Sequence, residues 1–141
     1  MRVAVIILAA GASTRLGSPK QLVTYQGKTL LQHSMDESLD IQPEEVVVVL
    51  GAHHEKIRAH INFPSGVTDL LNESWEEGMA SSIVCGIRFL MGKEVDGVII
   101  MVCDQPYVTA GLLESLKQEK LLVAARYGGV PGTPAYFDRS L

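Results

Sequence analysis

Three short apolar runs constrain the fold of this chain more than anything else in it: Arg2–Ala9 (RVAVIILA), Glu45–Leu50 (EVVVVL) and Gly97–Val102 (GVIIMV). None of them alternates apolar with polar residues. A strand without alternation is buried on both faces, as in a parallel sheet covered by helices on either side. The stretches between these runs read as helices. Thr29 and Gln32 fit a capping box opening a helix to about Leu39, with Leu30, Leu31, Met35 and Leu39 as its apolar stripe. His53–Ile61 is a short helix, and Met79–Met91 carries Met79, Ile83, Ile87 and Leu90 on one face. Thr109 caps a helix over Thr109–Glu119. Val67–Leu71 and Leu121–Ala125 read as further strands, and Ala135–Phe137 as a short last one. Strand and helix therefore alternate. The expected class is α/β: a three-layer, doubly wound, mainly parallel sheet built with right-handed crossovers.

At 141 residues and 47% hydrophobic composition, the chain suits one domain spanning residues 1–141 with a real core. No apolar run reaches the roughly 18–20 residues that cross a bilayer. Val3–Ala10, behind a lone Arg2, is too short for a span and lacks the layout of a signal peptide, so a cytoplasmic protein without a membrane partner is expected. The net charge is −4 and no basic run stands out, which argues against a nucleic-acid groove. Cys85 and Cys103 form no disulfide framework and read as reduced, buried thiols. No closing helix follows Phe137, so the domain reads as unusually short or C-terminally truncated.

Directly after the first strand comes Leu8-Ala9-Ala10-Gly11-Ala12-Ser13-Thr14-Arg15-Leu16-Gly17-Ser18-Pro19-Lys20. In open α/β sheets ligands bind beyond the carboxyl ends of strands. Small residues such as Ala9, Ala10 and Gly11 let backbone N–H groups approach phosphate oxygens, and Arg15 and Lys20 can neutralise a triphosphate. The spacing matches neither a Walker A loop nor a Rossmann fingerprint. A flexible surface loop is the alternative reading.

Asp104, in Cys103-Asp104-Gln105-Pro106, closes the GVIIMV strand and so faces the same crevice. Mg²⁺ prefers oxygen ligands and commonly binds one or two carboxylates plus substrate phosphates. Pro106 keeps Gln105 extended. A turn or capping aspartate is the alternative. Asn72–Ser82 (NESWEEGMASS) places polar groups at a helix N-terminus, where Ser81 and Ser82 can bond a base or ribose; ordinary capping with Trp75 as a core aromatic is the competing account. His53 and His60 lie seven apart, two turns along a helix, and read as exposed helix histidines rather than zinc ligands. Ser13 and Ser18 lack a partner histidine motif for a serine nucleophile.

LAAGASTRLGSPKQL, residues 8–22, resembles the L-A-[AG]-G-x-S-x-R-x-G-x-x-K signature of the MobA-like nucleotidyltransferases. These enzymes make molybdenum cofactor dinucleotides and share a fold with sugar-nucleotide synthases. The resemblance covers nearly the whole chain and implies a Rossmann-like nucleotide-diphospho-sugar transferase fold. It implies a nucleoside triphosphate wrapped by the loop at Leu8, Ala9, Ala10 and Gly11, phosphates bound by Lys20 with help from Arg15, and Mg²⁺ held by Asp104. The form C-D-Q-P looks like the cytidylyltransferase branch. Asn72–Ser82 is similar to that branch's N-x-x-W-x-x-G-[ML]-x-[ST]-S segment, which adds Asn72, Gly78, Ser81 and Ser82 to the nucleotide side. With Ala10 where guanylyltransferases usually carry a second glycine, the resemblance implies CTP rather than GTP. Tyr127–Phe137 resembles the G-x-x-G-x-P-x-x-F segment near the acceptor, implicating Gly129, Gly132 and Pro134; a hairpin turn accounts for the same residues. The implied acceptor is a phosphorylated small molecule such as molybdopterin, with a molybdoenzyme or its chaperone as macromolecular partner. One family feature is missing: no residue matches the later aspartate that helps hold the metal. The alternatives are a GTP- or sugar-phosphate-specific enzyme of the same fold, a non-catalytic nucleotide-binding module, or a flavodoxin-like carrier.

Overall fold

The computed structural model describes residues 2–12, 14–15, 17–105, 108–117, 122–127 and 130–140, with backbone alone at 14–15, 122–127 and 130–132. In chain order the elements are β1 (Val3–Ala9), β2 (Thr14–Arg15), β3 (Ser18–Pro19), a 3₁₀ turn (Lys20–Leu22), β4 (Thr24–Tyr25), β5 (Lys28–Thr29), α1 (Leu30–Asp40), β6 (Glu45–Leu50) and α2 (His54–His60). Then follow β7 (Val67–Leu71), a second 3₁₀ turn (Trp75–Glu77), α3 (Met79–Leu90), β8 (Gly97–Val102), α4 (Ala110–Lys117), β9 (Leu122–Tyr127) and β10 (Val130–Asp138). The main sheet runs β7-β6-β1-β8-β10-β9. β7, β6, β1 and β8 are mutually parallel, and β10 runs against both of its neighbours.

The apolar runs explain this architecture. Every residue of β1 is buried, and the strand's pleat sends alternate side chains into two cores. Val3, Val5, Ile7 and Ala9 pack with Leu31 and Met35 of α1, Ile57 of α2 and Leu113 and Leu116 of α4. Ala4, Ile6 and Leu8 pack with Leu90 and the inner side of α3. A Cβ on Gly86 would stand 2.9 Å from Ile6 Cδ1, so the bare glycine sets how closely α3 approaches β1. The mainly parallel, three-layer α/β fold is thus the one expected.

The hand of the crossovers is not uniform. α1 and α4 cover the same face, yet the chain steps toward one edge of the sheet through α1 and toward the other through α4. The β8-to-β9 connection therefore has the opposite hand to the rest, against the usual rule. Its strands are not neighbours, since β10 later fills the gap between them.

Other expectations need correction. The Gly11–Pro19 loop contains a two-stranded hairpin, β2–β3, whose turn uses Gly17 at φ +79°. A second hairpin, β4–β5, turns through Gln26 and Gly27, both with positive φ, the geometry that matches strand twist. Thr29 Oγ1 does accept from the Gln32 N–H at 3.0 Å, but the Gln32 side chain reaches forward to Asp36 instead of back, so the box is half made. Met79 is 57% exposed, because the first turn of α3 projects past the core at the sheet's carboxyl edge. β10 has nine residues where three were expected. Pro131 and Pro134 disguised it, and a register shift between Gly132 and Ala135 accommodates them. His53 precedes α2 in a left-handed conformation rather than lying within the helix. Cys85 is half-buried. No described helix is long and apolar enough to cross a membrane.

Candidate active site at the carboxyl edge of the sheet

β1, β6, β7 and β8 all end at one edge of the sheet, at Ala9, Leu50, Leu71 and Val102. The loops that leave three of them enclose a cavity of about 400 Å³. The β1 loop contributes Leu8 to Ala12 with Lys20 and Gln21; the β7 loop and α3 contribute Trp75, Glu76, Gly78, Met79 and Ser82; the β8 loop contributes Val102, Cys103 and Asp104. Its volume falls in the range of ligand pockets.

Lys20 and Asp104 meet on this rim, with Nζ 3.6 Å from Oδ2. Both side chains are nearly half exposed, so the pair is open to a ligand. Each parent strand delivers its residue by a short turn: β8 stops at Val102, and Lys20 opens the 3₁₀ turn after the β2–β3 hairpin. The N–H groups of Ala10, Gly11 and Ala12 donate to no acceptor among the described residues. Unpaired donors beside a cavity are anion-binding equipment. Arg15 has its backbone in β2, and its side chain lies outside the described residues.

Of the residues expected on the nucleotide side, Leu8, Ala9, Ala10, Gly11, Lys20, Gly78 and Ser82 line the cavity. Asn72 and Ser81 do not; they face a separate groove behind the β7 loop. Asn72 is 6% exposed and braces the site from behind. Its Nδ2 donates to Ser81 Oγ at 2.9 Å and Ser82 Oγ at 3.0 Å, and its Oδ1 accepts from the Ser74 N–H. Ser82 Oγ thereby accepts from Asn72, and its own proton is not engaged by that bond.

On the acceptor side, Gly129 lies outside the described residues, Gly132 sits in the backbone of β10, and Pro134 is buried. The segment is the β9–β10 hairpin. Gln105 ties it to the Asp104 loop: its Nε2 donates to the Thr133 carbonyl at 3.0 Å, and Thr133 Oγ1 donates back to its Oε1. The two candidate half-sites are therefore mechanically linked.

Several contributors escaped the sequence reading. Gln21 is 3% exposed and packs beneath the β1 loop. Glu76 and Met79 line the mouth. Trp75 closes one wall because Gly51 makes room; a Cβ there would stand 2.5 Å from Trp75 Cβ and 2.9 Å from Ala10 Cβ. His53 Nε2 lies 3.1 Å from the Ala12 carbonyl and pins the β1 loop to the β6 loop. Trp75 and Met79 fall in the Asn72–Ser82 pattern but were not assigned to the nucleotide side; Gln21, Glu76 and His53 have no local pattern, though Gly51 directly after EVVVVL was a visible stop signal.

Cys103 lines the cavity yet is only 5% exposed, and burial, aided by the neighbouring Asp104 charge, pushes its thiol up to about 12. The thiolate is the reactive species. At pH 8 an alkylating reagent should therefore label half-buried Cys85 and spare Cys103 until denaturant is added, as peptide mass spectrometry would read. Labelling of Cys103 in the folded protein at a rate equal to Cys85 would contradict this burial.

Among the described residues no group of three or more His, Cys, Asp or Glu side chains could by itself hold a metal ion. A divalent ion fits in a different mode. One lysine faces two carboxylates, Glu76 and Asp104, on the described cavity wall, so a bound triphosphate would need further positive charge. A single carboxylate plus phosphate oxygens is an established Mg²⁺ arrangement.

Known proteins resemble this chain in sequence and in fold. The model of the MobA-like NTP transferase domain matches residues 5–141. The bifunctional protein GlmU of Streptomyces coelicolor is 34% identical over 116 residues, covering 80% of this chain but 24% of GlmU. Nicotine blue oxidoreductase of Paenarthrobacter nicotinovorans is 33% identical over 127 residues, covering 89% of this chain and 58% of that protein. The chain thus spans a quarter to somewhat over half the length of these curated relatives. The crystal structure of Rv0371c from Mycobacterium tuberculosis superposes with a TM-score of 0.82 at 25% identity, covering 99% of this chain and 72% of that one. A sheet of this order, a glycine loop after its first strand and a family match over nearly all its length together make the chain a member of the MobA-like NTP transferase family.

Proposed function

We propose that this chain transfers a nucleotidyl group from a nucleoside triphosphate, with CTP favoured, to a phosphorylated acceptor of the molybdopterin kind, releasing pyrophosphate. The observation that carries the reading is the meeting of Lys20 and Asp104 at 3.6 Å beside three backbone N–H groups that have no acceptor among the described residues. The product of such a reaction would pass to a molybdoenzyme or its chaperone.

The residues divide the work by charge. The N–H groups of Ala10, Gly11 and Ala12 and the first turn of α3 would receive phosphate oxygens, favoured by the positive end of the helix dipole. Lys20 neutralises charge on the phosphates as it develops toward the leaving pyrophosphate. Ser82, braced by Asn72, offers its hydroxyl proton to the base or ribose. Asp104 would hold a divalent cation, Mg²⁺ in this reading; such an ion, when bound, screens phosphate charge and orients the reacting groups. A crystal structure of Rv0371c, 26% identical to this chain, is a complex with manganese, which supports a divalent ion here. No protein nucleophile is required, because the acceptor phosphate is already ionised and attacks the α-phosphorus itself.

Family membership alone leaves the reaction open, since one relative carries an oxidoreductase name. Two measurements decide it. A thermal-shift screen of the four nucleoside triphosphates with Mg²⁺ or Mn²⁺ should show the largest rise for CTP. Ligand at a hundredfold its Kd adds about 2.7 kcal/mol of stability. Pyrophosphate release with CTP and a phosphorylated pterin should follow. No shift with any nucleotide would sink the reading, and binding without turnover would favour the non-catalytic module.

A further inference from the structure

Gln21 is the most conspicuous buried polar side chain that the proposed mechanism does not use. It is 3% exposed, follows Lys20 directly in the 3₁₀ turn, and lies against the cavity wall. Its amide nitrogen donates to the Ala9 carbonyl at 2.8 Å and reaches the Gly11 carbonyl at 3.4 Å. Two carbonyl acceptors fix the orientation of the amide, since a flipped group would set oxygen against oxygen. Both amide protons are thereby engaged, and Gln21 Oε1 is left buried with no hydrogen-bond partner among the described residues.

Two consequences follow from elementary geometry. A trans peptide points its N–H opposite to its C=O. By drawing the carbonyls of Ala9 and Gly11 toward itself, Gln21 turns the N–H groups of Ala10 and Ala12 the other way, and these donors have no acceptor among the described residues. Gln21 is therefore a positioning residue for the loop. The second consequence concerns the orphan oxygen. A buried polar atom without a partner costs stability and calls for an explanation. Here the atom belongs to a residue on the wall of a ligand cavity, and an acceptor needs a donor. Phosphate oxygens, fully ionised, have none to give. In a nucleoside triphosphate the donors are the sugar hydroxyls and the base N–H groups, and the sugar is the part joined directly to the phosphates that neighbouring Lys20 would bind.

We infer that Gln21 reads the sugar: its Oε1 accepts a hydrogen bond from a ribose hydroxyl of the bound nucleotide, while its NH₂ holds the β1 loop in its anion-binding shape. This assignment rests on the nucleotide-binding reading of the cavity. It makes Gln21 a determinant of ribonucleotide over deoxyribonucleotide selectivity.

The test is calorimetric binding of CTP, 2′-deoxy-CTP and 3′-deoxy-CTP with Mn²⁺ to the wild-type chain, Gln21→Met and Gln21→Glu. One deoxy analogue should bind wild type about tenfold more weakly than CTP, as expected when a buried acceptor loses its donor. In Gln21→Met, with near-equal volume and no acceptor, the CTP affinity should fall while the gap between CTP and that analogue closes to within about twofold. Gln21→Glu keeps an oxygen acceptor and should keep the gap, at reduced overall affinity. A gap unchanged in Gln21→Met overturns the assignment and reduces Gln21 to a structural brace. Equal binding of all three nucleotides by wild type overturns it without any variant, and is the result expected if a water rather than a sugar satisfies Oε1. Failure of wild type to bind any of them strikes instead at the nucleotide-binding reading, and so is told apart.

Discussion

Replacing Asp104 with alanine should lower nucleotidyl transfer by roughly a thousandfold while the melting temperature stays within a few degrees of wild type. Lys20→Ala should act similarly, at about a hundredfold or more, in line with the loss of a single charge or donor aimed at a transition state. The fold should tolerate both changes because the pair is half exposed and its atoms are 3.6 Å apart. Exposed ion pairs contribute about 0–1 kcal/mol. The two variants should fail differently. Asp104→Ala should respond to raised Mn²⁺ concentration, since the ion would then rest on phosphate oxygens alone. Lys20→Ala should instead show weakened triphosphate binding with the metal requirement unaltered. Steady-state rates of pyrophosphate release across metal and nucleotide concentrations separate the two. Near-normal rates in both variants would refute the proposed division of labour.

The largest effect on folding should come from Gly97, at the start of β8. A Cβ built there would stand 2.3 Å from Tyr136 Oη and 2.5 Å from two carbons of the Tyr136 ring. Tyr136 is fully buried in β10, among the largest side chains in the core. Neither partner can yield easily, since both belong to paired strands of the same sheet. Gly97→Ala should therefore destabilise the protein by about 3 kcal/mol, the upper end for overpacking a core, and lower its melting temperature by on the order of 10 °C. Thermal or urea unfolding measures the loss. The effect should shrink when Tyr136 is first replaced by Leu, because residues in contact are not additive. An equal penalty in both backgrounds would show that the ring is not the cause.

Much of this molecule was legible in its sequence. Val3–Ala9, Glu45–Leu50 and Gly97–Val102 became buried strands within a residue of the expected limits, and Thr29 and Thr109 each accept a backbone N–H at the start of a helix. These signals are local: burial on both faces demands unbroken apolar runs, and capping is a contact over three residues. β10 was underestimated because its partners β8 and β9 lie elsewhere in the chain and its prolines argued against pairing. The two small hairpins were missed because each strand has two residues, too few to show a period. In the candidate site, Asp104 stood out as a carboxylate just past a strand end and Lys20 as a cation closing the glycine loop after the first strand. Asn72 and Ser81 were expected among the nucleotide contacts but lie behind the cavity, because the side of a loop on which a side chain falls is settled by what it bonds.

The sequence by itself determined the class of fold and the edge at which chemistry could occur, since strand burial and strand ends are written in consecutive residues. Only the tertiary structure decided which side chains share a cavity. Eighty-four positions separate Lys20 from Asp104, yet parallel strands side by side bring their ends together. The same packing put Trp75 against Gly51 and left the Gln21 side-chain amide oxygen without a hydrogen-bond partner among the described residues. Such relations depend on distances across the sheet, and no pattern along the chain encodes a distance.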